Sequence, residues 1–534
     1  MGFRLTGMVS NLDTESIVKE LMSAQSTKKT KIQNKITTVE WKQEKWKELN
    51  IKIYSLYTGS INKMKNQGTF ATKKVTSSDE TKVSVTASGK AVSGSHTIQV
   101  NQLASAQYIT GNKIKDIIQE DGSTKVVSGS TKLGDIDSTL VGSDSSATNV
   151  KFSTQDKEVI LTVTSDTTVN DFIAKAKEAG INASYDTAQK RFFLSSNGSG
   201  CENAFSITTS TGNSKTDDAV SGGTNKLAKL GLSTVLARVS DDRETVNYET
   251  ADSNITLIKA TNSEVEYNGA TINGSTNTIV ANGLTFNIHA ITKGTTNPYI
   301  SLTVENDTQA VYDSIKKFVN EYNDVLKEMN TLYYADSARG YDPLTEEQKE
   351  EMTDEEIKKW EDKIKDALLR RDDQLGSVLN LMKNSLITSV AYGEESYSLA
   401  SFGISTSDYT EKGLLHIDGD ADDTSTATKD DKLMAALEEN PEAVMTTLTT
   451  LVGKLYNGMT DMMKSTTLSS ALTFYNDKEF SKNLKTYKSD LSDLEKRLEA
   501  MEERYYKQFT AMETALSKLE TQSSSLASLL GTSS

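Results

Sequence analysis

The stretch Leu484-Lys-Thr-Tyr487-Lys-Ser-Asp-Leu491-Ser-Asp-Leu494-Glu-Lys-Arg-Leu498-Glu-Ala-Met501-Glu-Glu-Arg-Tyr505 steps its apolar residues by three and four in alternation, with no Gly or Pro. Such spacing is a heptad stripe along one side of a helix. A second step of four leads to Phe509, after which Met512, Leu516, Leu519 and Leu526 resume the pattern. A single stutter of this kind unwinds a coiled coil locally without ending it. At roughly 1.5 Å per residue the helix is about 65 to 70 Å long, and its apolar side must find a partner.

Two other stretches offer matching stripes. Asp13 or Thr14 is placed to cap a helix carrying Ile17, Val18, Leu21 and Met22, and the polar interval 23–31 predicts a break or fray. A second helical stretch then presents Ile32, Ile36, Val39, Trp46, Ile53, Tyr57 and Met64 at heptad positions. Gln43 and Asn50 fall in two of its core slots. Either they are buried polar residues that fix register and partner number, or the stripe drifts and they face solvent. The third stripe follows a cap at Asp307 and runs through Val311, Ile315, Phe318, Tyr322, Val325, Met329 and Leu332.

Between these stripes the period changes to two. Lys82-Val-Ser-Val-Thr86, Thr97-Ile-Gln-Val100 and Glu158-Val-Ile-Leu-Thr-Val163 read as strands. Asn268-Gly269 and Asn282-Gly283 read as hairpin turns, because Asn and Gly tolerate positive φ. A short helix over 169–179, then strands over 181–185 and 191–195, complete the pattern.

The fold class is therefore α+β and multidomain: a terminal helical coiled-coil or bundle leg with β-rich head domains inserted in it. The expected layout is a terminal segment 1–31, disordered when free; a helical bundle in two parts, 32–70 and 306–483; a β-rich head in two parts, 71–140 and 236–305; an inserted β-rich domain 141–235; and a coiled-coil leg 484–534. The two ends are expected to pack together as a rod from which the head projects. A thin two-helix leg is marginal, since one buried large apolar side chain contributes roughly 1.5 to 3 kcal/mol while ordering each residue's backbone costs about 1 to 2 kcal/mol. Assembly with further copies is expected to supply the missing apolar surface.

Composition narrows the function. The 534 residues carry 59 Lys and Arg against 74 Asp and Glu, a net charge of −15, with no concentrated basic face for nucleic acid. The lysines over 28–35 are a solvated stretch beside a helix. Cys201 is the single cysteine, so no intrachain disulfide forms. The N-terminus lacks a secretory apolar core, and no apolar run is long enough to span a membrane. There is no P-loop, GxGxxG or GxSxG, and His96, His289 and His416 stand far apart as packed or solvated residues rather than ligands. Asp418-Gly-Asp420-Ala-Asp422-Asp423 has the alternating carboxylates of a calcium loop, but Asp423 stands where a Gly is needed and Lys429 where a bidentate Glu is needed. Paired carboxylates for glycoside hydrolysis stay open, because their spacing is a matter of three-dimensional distance. No cofactor or metal is assigned. An acidic insert near 345–366 solvates a helix face.

The two ends resemble a known family. Ser10-Asn-Leu-Asp13-Thr-Glu-Ser-Ile17-Val-Lys-Glu-Leu21-Met22, Thr97-Ile-Gln-Val-Asn-Gln-Leu-Ala104, Phe318-Val-Asn-Glu-Tyr-Asn323, Leu399-Ala-Ser-Phe-Gly-Ile404, Gly413-Leu-Leu-His416-Ile-Asp418 and Tyr505-Tyr-Lys-Gln-Phe-Thr-Ala-Met512 are together similar to the bacterial flagellar filament cap proteins, the second of the hook-associated proteins. The stretch 169–196 is similar to a small motif of flagellins. Asn11 departs from the family's usual Gly, and the Pro common after the first helix is absent near Thr27. The resemblance implies a flagellin-like topology, export through the flagellar type III apparatus, and an extracellular ring of several copies at the filament tip. Its implied partners are flagellin, the hook–filament junction proteins and an export chaperone, with neither nucleic acid nor membrane. It implies retention and folding of flagellin with no bond made or broken, so not an enzyme. The residues expected to carry assembly are Ile17, Leu21, Ile32, Ile36, Val39, Trp46, Ile53, Leu484, Leu491, Leu494, Leu498, Met501, Tyr505, Phe509, Met512, Leu516, Leu519 and Leu526. The alternative function is a surface adhesin whose Ser/Thr-rich head binds host mucin or glycans.

Overall fold

The computed structural model describes residues 13–142, 147–211, 225–251, 255–529 and 531. The chain divides into two compact units, one made of Met1–Phe70 with Thr308–Ser534 and the other of Ala71–Asp307.

The first unit is helical. Helix α1, Thr14–Leu56, starts where the Asp13 carboxylate accepts a hydrogen bond from the Ser16 amide at 3.0 Å. It runs unbroken through 23–31, against the expected break. No Gly or Pro interrupts that interval, and its hydroxyls bond back within the helix, Ser26 to the Ser23 carbonyl and Thr30 to the Ser26 carbonyl. A π-helical turn, Tyr57–Ile61, and a last turn, Asn62–Met64, extend it. The chain returns in α2, Thr308–Tyr333, followed by α3, Glu346–Glu350, α4, Asp354–Asp366, α5, Asp373–Leu386, α6, Lys432–Glu439, and α7, Pro441–Met462. Pro441 opens α7 where its missing N–H is no loss, with the Asn440 side chain as cap. The last helix, α8, Asp477–Leu529, begins before Leu484 and passes the stutter without interruption.

One core holds this unit together. It joins Trp46, Leu49, Ile53 and Ile61 to Ile315, Phe318 and Tyr322 of α2, Val378 and Met382 of α5, and Leu451 and Leu455 of α7. Trp46 also stacks on Tyr475, with ring centroids 5.5 Å apart.

The second unit is β-rich and has two cores. In the first lobe a five-stranded antiparallel sheet runs in the order Lys73–Ser77, Ile300–Asn306, Gly94–Gln102, Ser263–Tyr267, Ala270–Gly274, beside a three-stranded sheet of Thr278–Ala281, Leu284–Ile288 and Val83–Ala87. Ile98, Val100, Val265, Phe286 and Leu302 fill it. The hairpin turns fall where expected, with positive φ at Asn268, Gly269, Asn282 and Gly283.

The second lobe pairs Ile255–Ile258, Ala106–Gly111, Arg191–Ser199 and Asn182–Asp186 in one sheet. A second sheet orders Val246–Thr250, Val235–Val239, Ser206–Thr211, Thr148–Ser153 and Glu158–Thr162. The helix Val169–Glu178 brings Phe172 between Phe152 and Phe192, at centroid distances of 5.0 and 5.1 Å. The inserted domain is thus wider than 141–235. Ala106–Gly111 pairs with Arg191–Ser199 and with Ile255–Ile258, so strand pairing rather than loop composition sets its edge. The chain enters and leaves this lobe at Ser105 and Thr261, whose backbones exchange hydrogen bonds of 3.0 and 3.2 Å.

Each unit having its own core, Leu326→Ala is expected to lower the unfolding free energy of the helical unit by about 2 to 5 kcal/mol and Phe172→Ala that of the β-rich unit by about 3 to 5 kcal/mol. Calorimetry checks this by showing which of two transitions moves in each variant.

Candidate assembly surface

Helices α1 and α8 lie antiparallel. Lys42 sits over the Phe480 ring at 5.9 Å and Lys35 over Tyr487 at 5.7 Å, while Lys488 pairs with Glu40 at 2.7 Å and Lys29 with Glu495 at 2.9 Å. From Lys42 back to Lys29 along α1, the partners on α8 advance from Phe480 to Glu495. Asn50 closes the base of the pair, its Oδ1 accepting the Phe474 amide hydrogen at 2.8 Å. It is neither a register residue between copies nor a solvated one, but a tie within the chain. Gln43 is half-buried.

Burial along the pair is graded. Trp46 and Ile53 are 1% and 0% exposed inside the bundle core, which corrects the expectation that they belong to an assembly surface. Ile36 is buried too. Ile17, Ile32 and Val39 on α1 are half-buried, as are Leu484, Leu491, Leu494, Leu498, Met501, Tyr505, Phe509, Met512 and Leu516 on α8. Leu21 is 42% exposed, Leu519 61% and Leu526 60%. The two stripes cover each other in part, and the far end of α8 stays open. Val18, left out of the predicted set, is buried at 2%; its neighbours in sequence gave no sign that it, rather than Ile17, faces inward.

The acidic insert has a place here. Thr345 and Thr353 cap α3 and α4 through reciprocal bonds with Gln348 and Glu356. The indole N–H of Trp360 donates to the Asp342 carbonyl at 2.9 Å, Tyr341 packs on the same ring, and Lys365 lies 4.6 Å over Trp41 of α1. Lys42 of α1 pairs with Asp372 at 2.7 Å just beyond α4. The insert thereby braces α1 and, with α8, bounds a cleft of about 1020 Å³ lined by Val18, Met22, Leu344, Leu498 and Tyr506 among charged rims.

The helical pair is completed only in part by its own chain. Residues 10–107 match the family model described as Flagellar hook-associated protein 2 N-terminus, and residues 260–521 the model described as Flagellar hook-associated protein 2 C-terminus. The chain belongs to the flagellar hook-associated protein 2 family. It is 24% identical to Flagellar hook-associated protein 2 of Halalkalibacterium halodurans over 98% of this chain and 99% of that one. Against the Escherichia coli K12 protein of the same name the identity is 26%, covering 97% and 96%. Among solved structures, the D1-D2-D3 domains of the flagellar cap protein FliD from Escherichia coli align at 21% identity and a TM-score of 0.49, covering 78% of this chain and 96% of that one.

Among the described residues no group of three His, Cys, Asp or Glu is placed to hold a metal ion. In the calcium-like loop the Lys316 ammonium takes the central position, 2.5 Å from Asp420 and 2.6 Å from Asp422, and Lys429 pairs with Asp418 at 2.9 Å. These bonds to Asp420 and Asp422 push the Lys316 pKa up. Beside the loop, His416 places Nδ1 2.5 Å from Asp423 and Nε2 2.7 Å from Glu411. Burial opposes its protonation, yet the two carboxylates outweigh burial and raise its pKa. For Asp423 burial opposes ionisation, but hydrogen bonds from Ser425 and His416 hold it down at about 2.

The raised His416 pKa gives stability that is complete below the ordinary imidazole range and lost as pH rises through the folded value. The depressed Asp423 pKa gives stability present above the ordinary carboxylate value and lost as pH falls toward about 2. Urea unfolding should show a His416→Gln deficit at about pH 6 that narrows by about pH 9. Asp423→Asn should lose about 2 kcal/mol at neutral pH.

Proposed function

We propose that this chain is the distal cap of a bacterial flagellar filament, outside the cell, where several copies form a ring that retains exported flagellin and promotes its folding and polymerisation. The observation that carries this is the graded α1–α8 pair, buried at its base and open at Leu519 and Leu526, in a chain whose two ends match the hook-associated protein 2 family. A half-covered apolar stripe suits exchange of partners. Each contact is weak alone, since partial burial of one side chain is worth less than the roughly 1.5 to 3 kcal/mol of complete burial, while many together hold. Flagellin and the hook–filament junction proteins are the partners that offer further helices, and an export chaperone covers the stripe before assembly.

Export through the flagellar type III apparatus is favoured by a chain with one cysteine. No helix among the described residues is long and apolar enough to cross a membrane. The reading is non-enzymatic: among the described residues every carboxylate with a shifted pKa is shifted down, so none is held protonated as a general acid. A flagellin-like topology is favoured by the helix and two strands over 169–199.

A second reading, adhesion to host mucin or glycans, is favoured by Tyr108, Phe193 and Ile258, exposed together on one sheet of the β-rich unit where Tyr108 stands opposite Ile258. Loss of mucin binding in Tyr108→Ala with Phe193→Ala supports it, and unchanged binding refutes it.

For the cap reading, Leu494→Asp with Leu498→Asp should separate α8 from α1 outside the bundle core. In a strain lacking its own cap, this variant should leave filaments absent or truncated by electron microscopy while both unfolding transitions persist. Filaments of normal length would exclude the reading.

A further inference from the structure

The acidic insert is built as a separate arm on the helical unit. Its two connections meet at a neck, where the Arg371 amide donates to the Tyr333 carbonyl at 3.0 Å. Neither connection, 335–344 or 367–372, is helix or strand, and each passes through a left-handed residue, Gly340 at φ +92° and Arg371 at φ +51°. Beyond the neck the arm is tied to itself. Trp360 holds Tyr341 and Asp342 of the incoming connection against α4, and Lys349 of α3 reaches Glu361 of α4 at 3.4 Å. Its base is fixed, since Leu369 is buried in the core of the unit and Asp372 pairs with Lys42 of α1.

The cleft of about 1020 Å³ separates the tip of this arm from α1. On the α1 wall Ser23, Ser26, Thr30, Asn34 and Thr37 recur at steps of three and four, so one face of the helix is small and polar. Charge is divided between the walls. Lys19 and Lys29 stand on α1, and Glu346 and Glu347 on α3. The Glu347 carboxyl is held below its usual range by its own amide first and the Thr345 hydroxyl next, and Lys29 across the cleft adds to the effect. Glu15 and Glu502 also line the cleft, so the attraction rests on the two lysines. Salt sets its reach, because the screening length is about 30 Å at 0.01 M and about 3 Å at 1 M.

We propose that the insert is a hinged guard on α1: it pivots at its neck and closes on the polar face of the helix by drawing Glu346 and Glu347 toward Lys19 and Lys29, which bars any further helix from that face until it opens. Closure also brings Leu344 of the arm over Met22, apolar members of opposite walls. A helix that comes to lie on this face must displace the arm, and the charges at its tip set the cost. Spin labels at Ser26→Cys and Leu344→Cys in the full chain measure the gap, because Cys201, the only native thiol, is buried. Their separation is expected to shift to shorter values as sodium chloride falls from about 1 M to about 0.01 M. Glu346→Gln with Glu347→Gln should hold the longer separation at both salts. Lys19→Gln, on the opposite wall and leaving α3 untouched, should reduce the shift. Asp362→Asn with Asp366→Asn, which removes as much charge from the same arm away from the cleft, should keep it.

Each of four results overturns the guard: equal separations at both salts in the labelled chain, a full shift with Glu346→Gln and Glu347→Gln, a full shift with Lys19→Gln, or a lost shift with Asp362→Asn and Asp366→Asn. The distances say nothing of the cap reading, which the filaments of Leu494→Asp with Leu498→Asp decide by themselves.

Discussion

Two helices laid side by side bury only the strips that face each other, and the helical unit is organised by where a third surface is available to cover the rest. At the base of the pair α2, α5 and α7 supply it, and Trp46, Leu49 and Ile53 reach complete burial. Farther along, α1 has only α8 and the braced insert, and Ile32, Val39, Leu491 and Leu494 stay half-covered. At the far end α8 is left with Leu519 and Leu526 in water. Apolar burial scales with the area removed from water, so the pair grades from a fixed end to an end whose free energy depends on what else is present.

The same geometry constrains how the unit forms. The tie between Asn50 and Phe474 spans 424 residues, and Trp46 stacks on Tyr475. The core side of α1 therefore has no complete surroundings until the last part of the chain is available. Contacts of such separation carry a loop-closure cost before they return stability. With Cys201 alone in the chain, no disulfide shortens the loop. The β-rich unit is less dependent on the ends, since its two cores draw only on residues between Val75 and Val304.

Much of this was legible in the residues. The three- and four-residue steps located α1, α2 and α8, and the two Asn-Gly pairs located two hairpins, because in each case the local pattern and the tertiary role agree. The short helix and strands over 169–199 were legible for the same reason. What failed needed distance information. A polar interval at 23–31 looks like a break, but hydroxyls that bond back to helix carbonyls keep it helical. Trp46 and Ile53 sit on the same stripe as Ile32 and Val39, and nothing in the spacing says that three more helices cover the first two. Asn50 has the composition of a register residue, and only the approach of the segment before α8 shows its role. The edge of the second β lobe depends on Ala106–Gly111 choosing partners nearly ninety and a hundred and fifty residues away. The insert reads as a solvated face, and its docking on α1 shows only in the structure, where Trp360 bonds the Asp342 carbonyl and Lys365 lies over Trp41.

The backbone exchange between Ser105 and Thr261 places the entry and exit of the second β lobe side by side. Everything between them is attached like a bead on a closed clasp. A longer, shorter or unrelated bead would leave the clasp, and the sheet that carries it, with the same end-to-end spacing to satisfy. Outward-facing side chains of the bead lie outside that constraint, while the residues on either side of the clasp must keep the two backbones within hydrogen-bonding reach.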